Sequence, residues 1–160
     1  IGARFAAETG CTLLPEPTRI DLYGTATLLM HGDSLCSDDK EYQRWRSRVR
    51  DSSWQQAILG LPVEQRLQMA RQARDLSAQS KQGKDETIMD ANQDAIRRSV
   101  EENQADVLIH GHTHRPGIHT FRNNGREITR IVLGDWYETG NVLSVDHHGW
   151  QLKTLSCNEP

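Results

Sequence analysis

Two histidines follow a predicted buried strand at a spacing that suits metal binding. The short apolar run DVLIH (106–110) is typical of a buried strand, and the segment GHTHRP (111–116) comes directly after it. Imidazole is the commonest neutral metal ligand, and His112 and His114, one residue apart in extended chain, point to the same face. The pattern favours a metal site over the alternative, a pair of ordinary surface histidines.

A third histidine is placed in the same way. The predicted strand TATLLM (25–30) runs directly into His31-Gly32-Asp33. Ligands of α/β folds gather beyond strand ends, so we expect His31 to join His112 and His114 in one site. Two hydrolytic ions also need a bridging carboxylate, and Asp33, which comes after His31, is not expected to supply it. Asp135 is expected to have a structural or supporting role. The other histidines are expected to be structural or superficial, and they are His110, His119, His147 and His148.

The elements that position these residues follow from hydrophobic periodicity. A short helix is predicted at 3–9, a hairpin at 19–23 and 25–30, and helices from Lys40 and from near Pro62. A further helix, capped by Asp85, has an inner face expected to hold the following residues: Ile88, Ala91, Ala95, Ile96, Ser99 and Val100. The last third is predicted to be antiparallel strands at 118–121, 127–133, 141–145 and 150–155, with a turn at Asn124-Gly125.

One face of a predicted helix is apolar at its start and polar further along. Steps of four and three residues align Val63, Leu67 and Ala70 with the polar set Arg74, Ser77, Lys81 and Lys84. Residues 40–84 carry ten Lys or Arg and four Asp or Glu, a net charge of +6, whereas the rest carries nine and eighteen, a net charge of −9. The face could bind an apolar tail beside an anionic head; the alternative is a solvated basic face.

Length and composition limit the class of protein to which the chain can belong. The 160 residues fit one soluble domain, and no apolar run approaches the roughly 20 residues of a membrane-spanning helix. Cys11, Cys36 and Cys157 form no CxxC pair, which indicates a reducing compartment. The localised charge argues against general nucleic-acid binding. No signal peptide is apparent, and a chain that opens on Ile1 is expected to be the C-terminal part of something longer.

Several motifs together resemble one enzyme family. They are LLMHGDSLCSDDKEYQ (28–43), LGLP (59–62), IMDANQDA (88–95), LIHGHTHRP (108–116) and IVLGDWYE (131–138). They resemble the calcineurin-like metallophosphoesterases and, within them, the UDP-2,3-diacylglucosamine diphosphatase family of the bacterial lipid A pathway. The resemblance implies an α/β sandwich whose N-terminal part is missing from residues 1–160, with a helical insertion at 40–84 serving as a substrate lid. An exposed sheet edge is expected as a result.

The resemblance also implies roles for single residues. Of two manganese ions, His31 and His112 would hold one and His114 the other, beside ligands from the missing part, and His112 would also lie near the substrate phosphate. The implied substrate contacts are Asp39, Tyr42, Arg74, Ser77, Lys81, Lys84 and His112. One member of the family carries Asn where this chain has Lys81, which can donate a hydrogen bond but cannot accept one.

The implied activity is hydrolysis of UDP-2,3-diacylglucosamine to 2,3-diacylglucosamine 1-phosphate (lipid X) and UMP. The enzyme would be cytoplasmic and peripheral to the inner membrane of a Gram-negative bacterium, and residues 1–160 alone are expected to be inactive. Two alternatives remain open at this stage: a metallophosphoesterase acting on nucleotides or phosphoproteins, and a fragment that binds lipid or metal without turnover.

Overall fold

The chain folds into two compact units with mixed α/β structure. A computed structural model describes residues 2–81, 85 and 88–156. The first unit, here the sheet unit, comprises Ile1–Asp33 and Gln93–Pro160, and the second, the helical unit, comprises Ser34–Asn92. The α/β class predicted from the sequence is thereby confirmed.

The sheet unit is built mainly of strands. Its described elements are α1 (Ala3–Thr9), β1 (Thr18–Leu22), β2 (Thr25–Met30), α5 (Gln93–Glu102), β3 (Val107–His110), β4 (Gly117–Asn123), β5 (Arg126–Val132), β6 (Thr139–Asp146) and β7 (Gly149–Ser156). Five strands form one sheet in the order β1-β2-β3-β5-β4, and β6 and β7 form a two-stranded antiparallel sheet. Within the described part of the chain, the larger sheet ends at β1 and β4.

The centre of the larger sheet is parallel. Strands β2, β3 and β5 run in the same direction, with Met30 opposite His110 and His110 opposite Val132. The outer strands β1 and β4 are antiparallel to their neighbours. Because the three central strands end side by side, the loops that follow them emerge at one edge of the sheet.

The core surrounds β3, which is buried along its whole length. A continuous apolar run is typical of a parallel strand covered on both faces. Val107, Ile109 and Ile131 form a buried cluster, against which Leu143 of β6 and Trp150 of β7 pack. Alternation along the strands places Leu108 and His110 on the opposite face from this cluster, and α5 buries Ile96 and Val100.

The turns and strands of the sheet unit largely match the sequence. The Asn124-Gly125 turn joins β4 and β5 with φ angles of 50° and 79°, as a type I′ hairpin turn requires. The 19–23 and 25–30 hairpin, the buried DVLIH strand and the four C-terminal strands are all present within one or two residues. These predictions are confirmed.

The helical unit contains α2 (Lys40–Arg50), α3 (Ser52–Leu59) and α4 (Val63–Lys81); a 3₁₀ turn lies at Asp33–Leu35. The sequence did not predict the break at Asp51, whose carboxylate accepts a hydrogen bond from the Trp54 amide and so starts a new helix. The rings of Trp45 and Trp54 then meet edge to face, with centroids 6.1 Å apart, and join α2 to α3.

One helix begins later than predicted. The expectation of a helix capped by Asp85, with Ile88 and Ala91 on its inner face, is wrong, because α5 starts at Gln93. The Asn92 amide donates to the Leu35 carbonyl, and the Asn92 side chain donates to Asp38. This segment therefore forms its hydrogen bonds outside a helix. Asp and Asn side chains often favour such local hydrogen bonds over helical ones.

Candidate functional site

The site predicted from the sequence lies where three parallel strands end. Strand β2 leads to His31, β3 leads to the GHTH segment, and β5 leads to Leu133-Gly134-Asp135. Two backbone hydrogen bonds join these loops: the Gly111 amide donates to the His31 carbonyl, and the Leu133 amide donates to the His110 carbonyl. The sheet register, and not chance proximity, places the three segments together.

His31 and His112 are brought into direct proximity. Their ring centroids lie 4.9 Å apart at an interplanar angle of 62°. The His31 side chain is about half exposed. Two imidazoles this close, from two different loops, could each direct a ring nitrogen at one divalent ion.

The backbone of the GHTH segment differs from the extended chain that the sequence argument assumed. His112 and His114 both adopt the left-handed conformation, with φ of 66° and 54°. The Thr113 amide donates to the Gly111 carbonyl across His112, which makes His112 the centre of a classic γ-turn. Such conformations cost about 1–3 kcal/mol per residue and are concentrated at functional sites. The turn at His112 and the left-handed φ of His114, not strand alternation, set the directions of the two side chains.

His114 is oriented by Asp135. The His114 Nδ1 and the Asp135 Oδ2 lie 3.1 Å apart. An ionised carboxylate only accepts, so Nδ1 carries the proton and the lone pair of the neutral ring lies on Nε2. A carboxylate behind a histidine is the usual arrangement that fixes a metal-binding ring. The supporting role expected for Asp135 agrees with this contact.

The backbone of Gly134, the residue before Asp135, is held by a buried amide on β6. The Oδ1 of Asn141 accepts from the Gly134 amide at 3.0 Å, and its Nδ2 donates to the Gly140 carbonyl and to Thr154. A Cβ at residue 134 would lie 2.7 Å from Asn141 Oδ1, so this close approach requires a glycine. The sequence argument did not single out Asn141.

Carboxylates stand beside His31. Ligand atoms of Glu16, His31 and Asp33 all lie within 4.8 Å of one another, a grouping able to hold a metal ion. The His31 amide also donates to Glu16 Oε1 at 3.0 Å. A mixture of imidazole and carboxylate suits borderline and hard divalent cations. The residues present therefore fit a divalent metal.

Glu16 was missed by the sequence argument, although the sequence held a signal for it. Thr18 pairs with Leu29 in the β1–β2 hairpin, and continuing that register by two residues at each end sets Glu16 opposite His31. The hairpin itself was predicted. Extending its register beyond the strand ends would have found the carboxylate.

The glycine after His31 is required by both its backbone and its surroundings. Gly32 has a φ of 103°, and an added Cβ would lie 2.7 Å from His110 Nδ1 and 3.1 Å from the Gly111 carbonyl oxygen. We expect Gly32→Ala to lower the free energy of unfolding by about 2–4 kcal/mol, because φ strain and a backbone clash add together. Urea unfolding of the full-length protein measures this.

Gly24→Ala is the matched control for that prediction. Gly24 has a φ of 83°, and no described atom lies within 4 Å of the added carbon. Only the conformational cost remains, about 1–2 kcal/mol. Equal losses of stability in the two variants would contradict the crowding described around Gly32.

The helical unit carries six of the seven residues assigned to substrate contact, the seventh being His112. Asp39 is buried and caps α2 by accepting from the Tyr42 amide at 3.0 Å, so these two residues lie together. Arg74 and Ser77 lie on one exposed face of α4, and Lys81 is its last residue. Lys84 lies outside the described residues. The substrate roles of all six residues remain predictions.

The remaining histidines lie on other segments than the loops just described, although the ring of His110 packs against two of these loops. His110 is buried, with Nδ1 against the Gly111 carbonyl and Nε2 against Arg130. His119 is exposed on β4. His147 and His148 are exposed in the β6–β7 turn, with ring centroids 3.8 Å apart. The structural role expected for His110 agrees with its burial.

Within the described residues, no helix combines the length and the apolar character that crossing a membrane would require.

Comparison with known proteins identifies the family. No protein-family model matches the chain. A UDP-2,3-diacylglucosamine hydrolase of Stenotrophomonas maltophilia is 44% identical over 98% of the chain, and one of Marinobacter nauticus is 49% identical over all of it. A third, from Xanthomonas axonopodis, is 47% identical over 98% of the chain. The chain spans 62–66% of the length of these curated relatives, slightly less than two thirds. On this similarity the chain belongs to the family of the UDP-2,3-diacylglucosamine hydrolases.

Proposed function

We propose that the protein containing this chain is a metal-dependent diphosphatase that cleaves UDP-2,3-diacylglucosamine to lipid X and UMP in lipid A biosynthesis. The observation that carries the proposal is the meeting of His31 and His112, 4.9 Å apart, at adjacent strand ends of a chain 44–49% identical to hydrolases of that name. The finer fold assignment, a calcineurin-like metallophosphoesterase sandwich with residues 40–84 as a substrate lid, is part of the same proposal.

The proposed metal ligands come from the strand-end loops. His31 and His112 hold one manganese ion, and His114 holds the second through Nε2, because Asp135 occupies its Nδ1. Further ligands are proposed to come from outside the 160 residues. When bound, two such ions would supply Lewis acidity toward the phosphoryl oxygens and lower the pKa of a water molecule. His112, which would lie near the substrate phosphate, would also help to orient it.

The helical unit is proposed to recognise the acylated glucosamine. Arg74, Lys81 and Lys84 are cations suited to a phosphate, and Ser77 suits a sugar hydroxyl or a carbonyl. Asp39 and Tyr42 complete the headgroup contacts. Because Asp39 caps α2 through the Tyr42 amide, the cap also fixes the backbone of Tyr42.

Exposed apolar side chains on the same unit support peripheral membrane association. Five large ones are 45–67% exposed: Trp45, Leu59, Val63, Leu67 and Leu76. Such residues beside a basic helix favour binding to an anionic lipid surface. We propose that this unit contacts the cytoplasmic face of the inner membrane of a Gram-negative bacterium.

Product analysis tests the proposed function. The full-length protein with manganese and UDP-2,3-diacylglucosamine in mixed micelles is expected to release equal amounts of UMP and lipid X, detected by chromatography and mass spectrometry. Manganese removal with a chelator is expected to stop the reaction. The 160-residue chain alone, assayed in parallel, is expected to show no turnover.

The alternatives give different results in that assay. A preference for a soluble phosphodiester or a phosphopeptide over the lipid would favour a different metallophosphoesterase. Absence of turnover by the full-length protein, with manganese bound, would favour a binding function. Robust turnover by the 160 residues alone would contradict the proposal that ligands come from outside them.

A further inference from the structure

A buried polar pair lies between β3 and β5, behind the GHTH segment. Arg130 Nε donates to His110 Nε2 at 2.9 Å, and the two residues are 8% and 1% exposed. Both sit on the sheet face opposite the Val107, Ile109 and Ile131 cluster. Burying a guanidinium is costly, and apolar residues of similar size are often as stable, so stability alone does not account for the pair.

The partners of His110 determine its tautomer. The Gly111 carbonyl, 2.8 Å from Nδ1, can only accept a hydrogen bond, so Nδ1 carries the proton. The Arg130 Nε–H can only donate, so Nε2 carries the lone pair. Arg130 therefore selects the form of His110 that donates to Gly111.

The Gly111 carbonyl is the anchor of the strained turn. It accepts from His110 Nδ1 and also from the Thr113 amide, the hydrogen bond that closes the γ-turn around His112. The neighbouring Gly111 amide is fixed by the His31 carbonyl. A strained conformation persists only where the surroundings over-determine it, and these contacts do so at Gly111.

The His110 ring also limits the position of the other histidine loop. Gly32 packs so closely that a Cβ there would lie 2.7 Å from Nδ1. One ring thus contacts both the loop that carries His31 and the loop that carries His112.

We propose that Arg130 is a positioning residue for metal binding: it fixes the His110 tautomer, and His110 holds the Gly111 carbonyl so that His112 keeps its strained turn beside His31. The inference rests on the proposed function, in which His31 and His112 are ligands. It adds that a cation buried beneath the loop controls how well they bind.

Two amide substitutions at residue 110 separate this role from a stabilising one. In His110→Asn the amide nitrogen takes the place of Nδ1 and can donate to Gly111, but Arg130 loses the acceptor at Nε2. In His110→Gln the amide oxygen takes the place of Nε2 and can accept from Arg130, but the donor to Gly111 is lost. The two variants are therefore expected to rank in opposite order by manganese affinity and by the melting temperature of the metal-free protein.

The experiment titrates the full-length protein with manganese, following free Mn²⁺ by electron paramagnetic resonance in the absence of substrate. We expect His110→Asn to melt lower but to keep its affinity within about 3-fold, and His110→Gln to melt higher but to bind about 10–100-fold more weakly. Arg130→Met is expected to weaken binding about 10-fold in the natural background and not further in the His110→Asn background.

The outcomes are decisive for each claim. If the His110 variant that melts lower also binds manganese more weakly, the positioning role is overturned. This comparison is decisive even if Arg130→Met fails to fold. Unchanged affinity in a folded Arg130→Met variant also overturns it. Failure of the unmodified protein to bind manganese overturns both the proposed function and this inference, whereas manganese binding without UMP release overturns the proposed function alone.

Discussion

His112→Gly is expected to abolish manganese-dependent UMP release by the full-length protein without lowering its stability. The loss in kcat should be about 10³-fold or more, beyond the 10–100-fold cost of removing a group that merely supports a metal ligand. The imidazole beside His31 is lost, while glycine adopts the φ of 66° at this position without strain. Steady-state assays and urea unfolding measure the two effects.

A loss of activity at unchanged stability distinguishes a functional residue from a structural one. Relief of left-handed strain, about 1–2 kcal/mol, offsets the extra conformational entropy of glycine in the unfolded chain. His119→Ala, at an exposed position on β4, is the control and should leave both activity and stability near their original values. Retained UMP release in His112→Gly would refute the assignment of His112 as a ligand.

The grouping of the histidine loops could be predicted because it follows from topology. A buried apolar strand such as DVLIH belongs in the parallel centre of a sheet, and parallel strands end together. His31 and the GHTH segment therefore had to emerge at one edge once β2 and β3 were recognised.

The geometry within those loops could not be read from spacing. The alternation of an extended strand stops at His110, and a γ-turn with left-handed angles replaces it. That turn depends on the Gly111 carbonyl, which is fixed by His110 and so, through Arg130, by a strand 20 residues further along the chain. A hydrogen-bond chain of this kind leaves no periodic signal.

Local competition explains the errors in the helices. Asp51 and Asn92 each bind backbone groups with their side chains or amides and so divert the chain from a continuous helix. Hydrophobic periodicity predicts which residues share a face, but it does not register such capping contacts. The spacing argument holds for Arg74 and Ser77, which lie on one exposed face of α4, whereas Lys84 of the same predicted face lies outside the described residues.

Arg74→Ala is expected to raise the KM for UDP-2,3-diacylglucosamine about 10–100-fold while kcat changes much less. A charge-assisted hydrogen bond to a phosphate contributes about 1.5–3 kcal/mol, and a contact distant from the reacting bond acts mainly on binding. Arg74 stands on the exposed face of α4 next to Ser77, in the unit that carries the exposed apolar side chains. Steady-state kinetics in mixed micelles measures both constants.

Two further variants separate specific recognition from bulk charge. Arg98→Ala removes the same charge from an exposed position on α5 and should leave KM within about 2-fold, the range of a solvated surface cation. Arg74→Lys keeps the charge but loses the planar, bidentate geometry, so its KM should lie between those of the unmodified enzyme and Arg74→Ala. Equal KM values for Arg74→Ala and Arg98→Ala would mean that the basic face of α4 attracts anions without contacting the substrate, the ordinary solvated helix that its composition also permits.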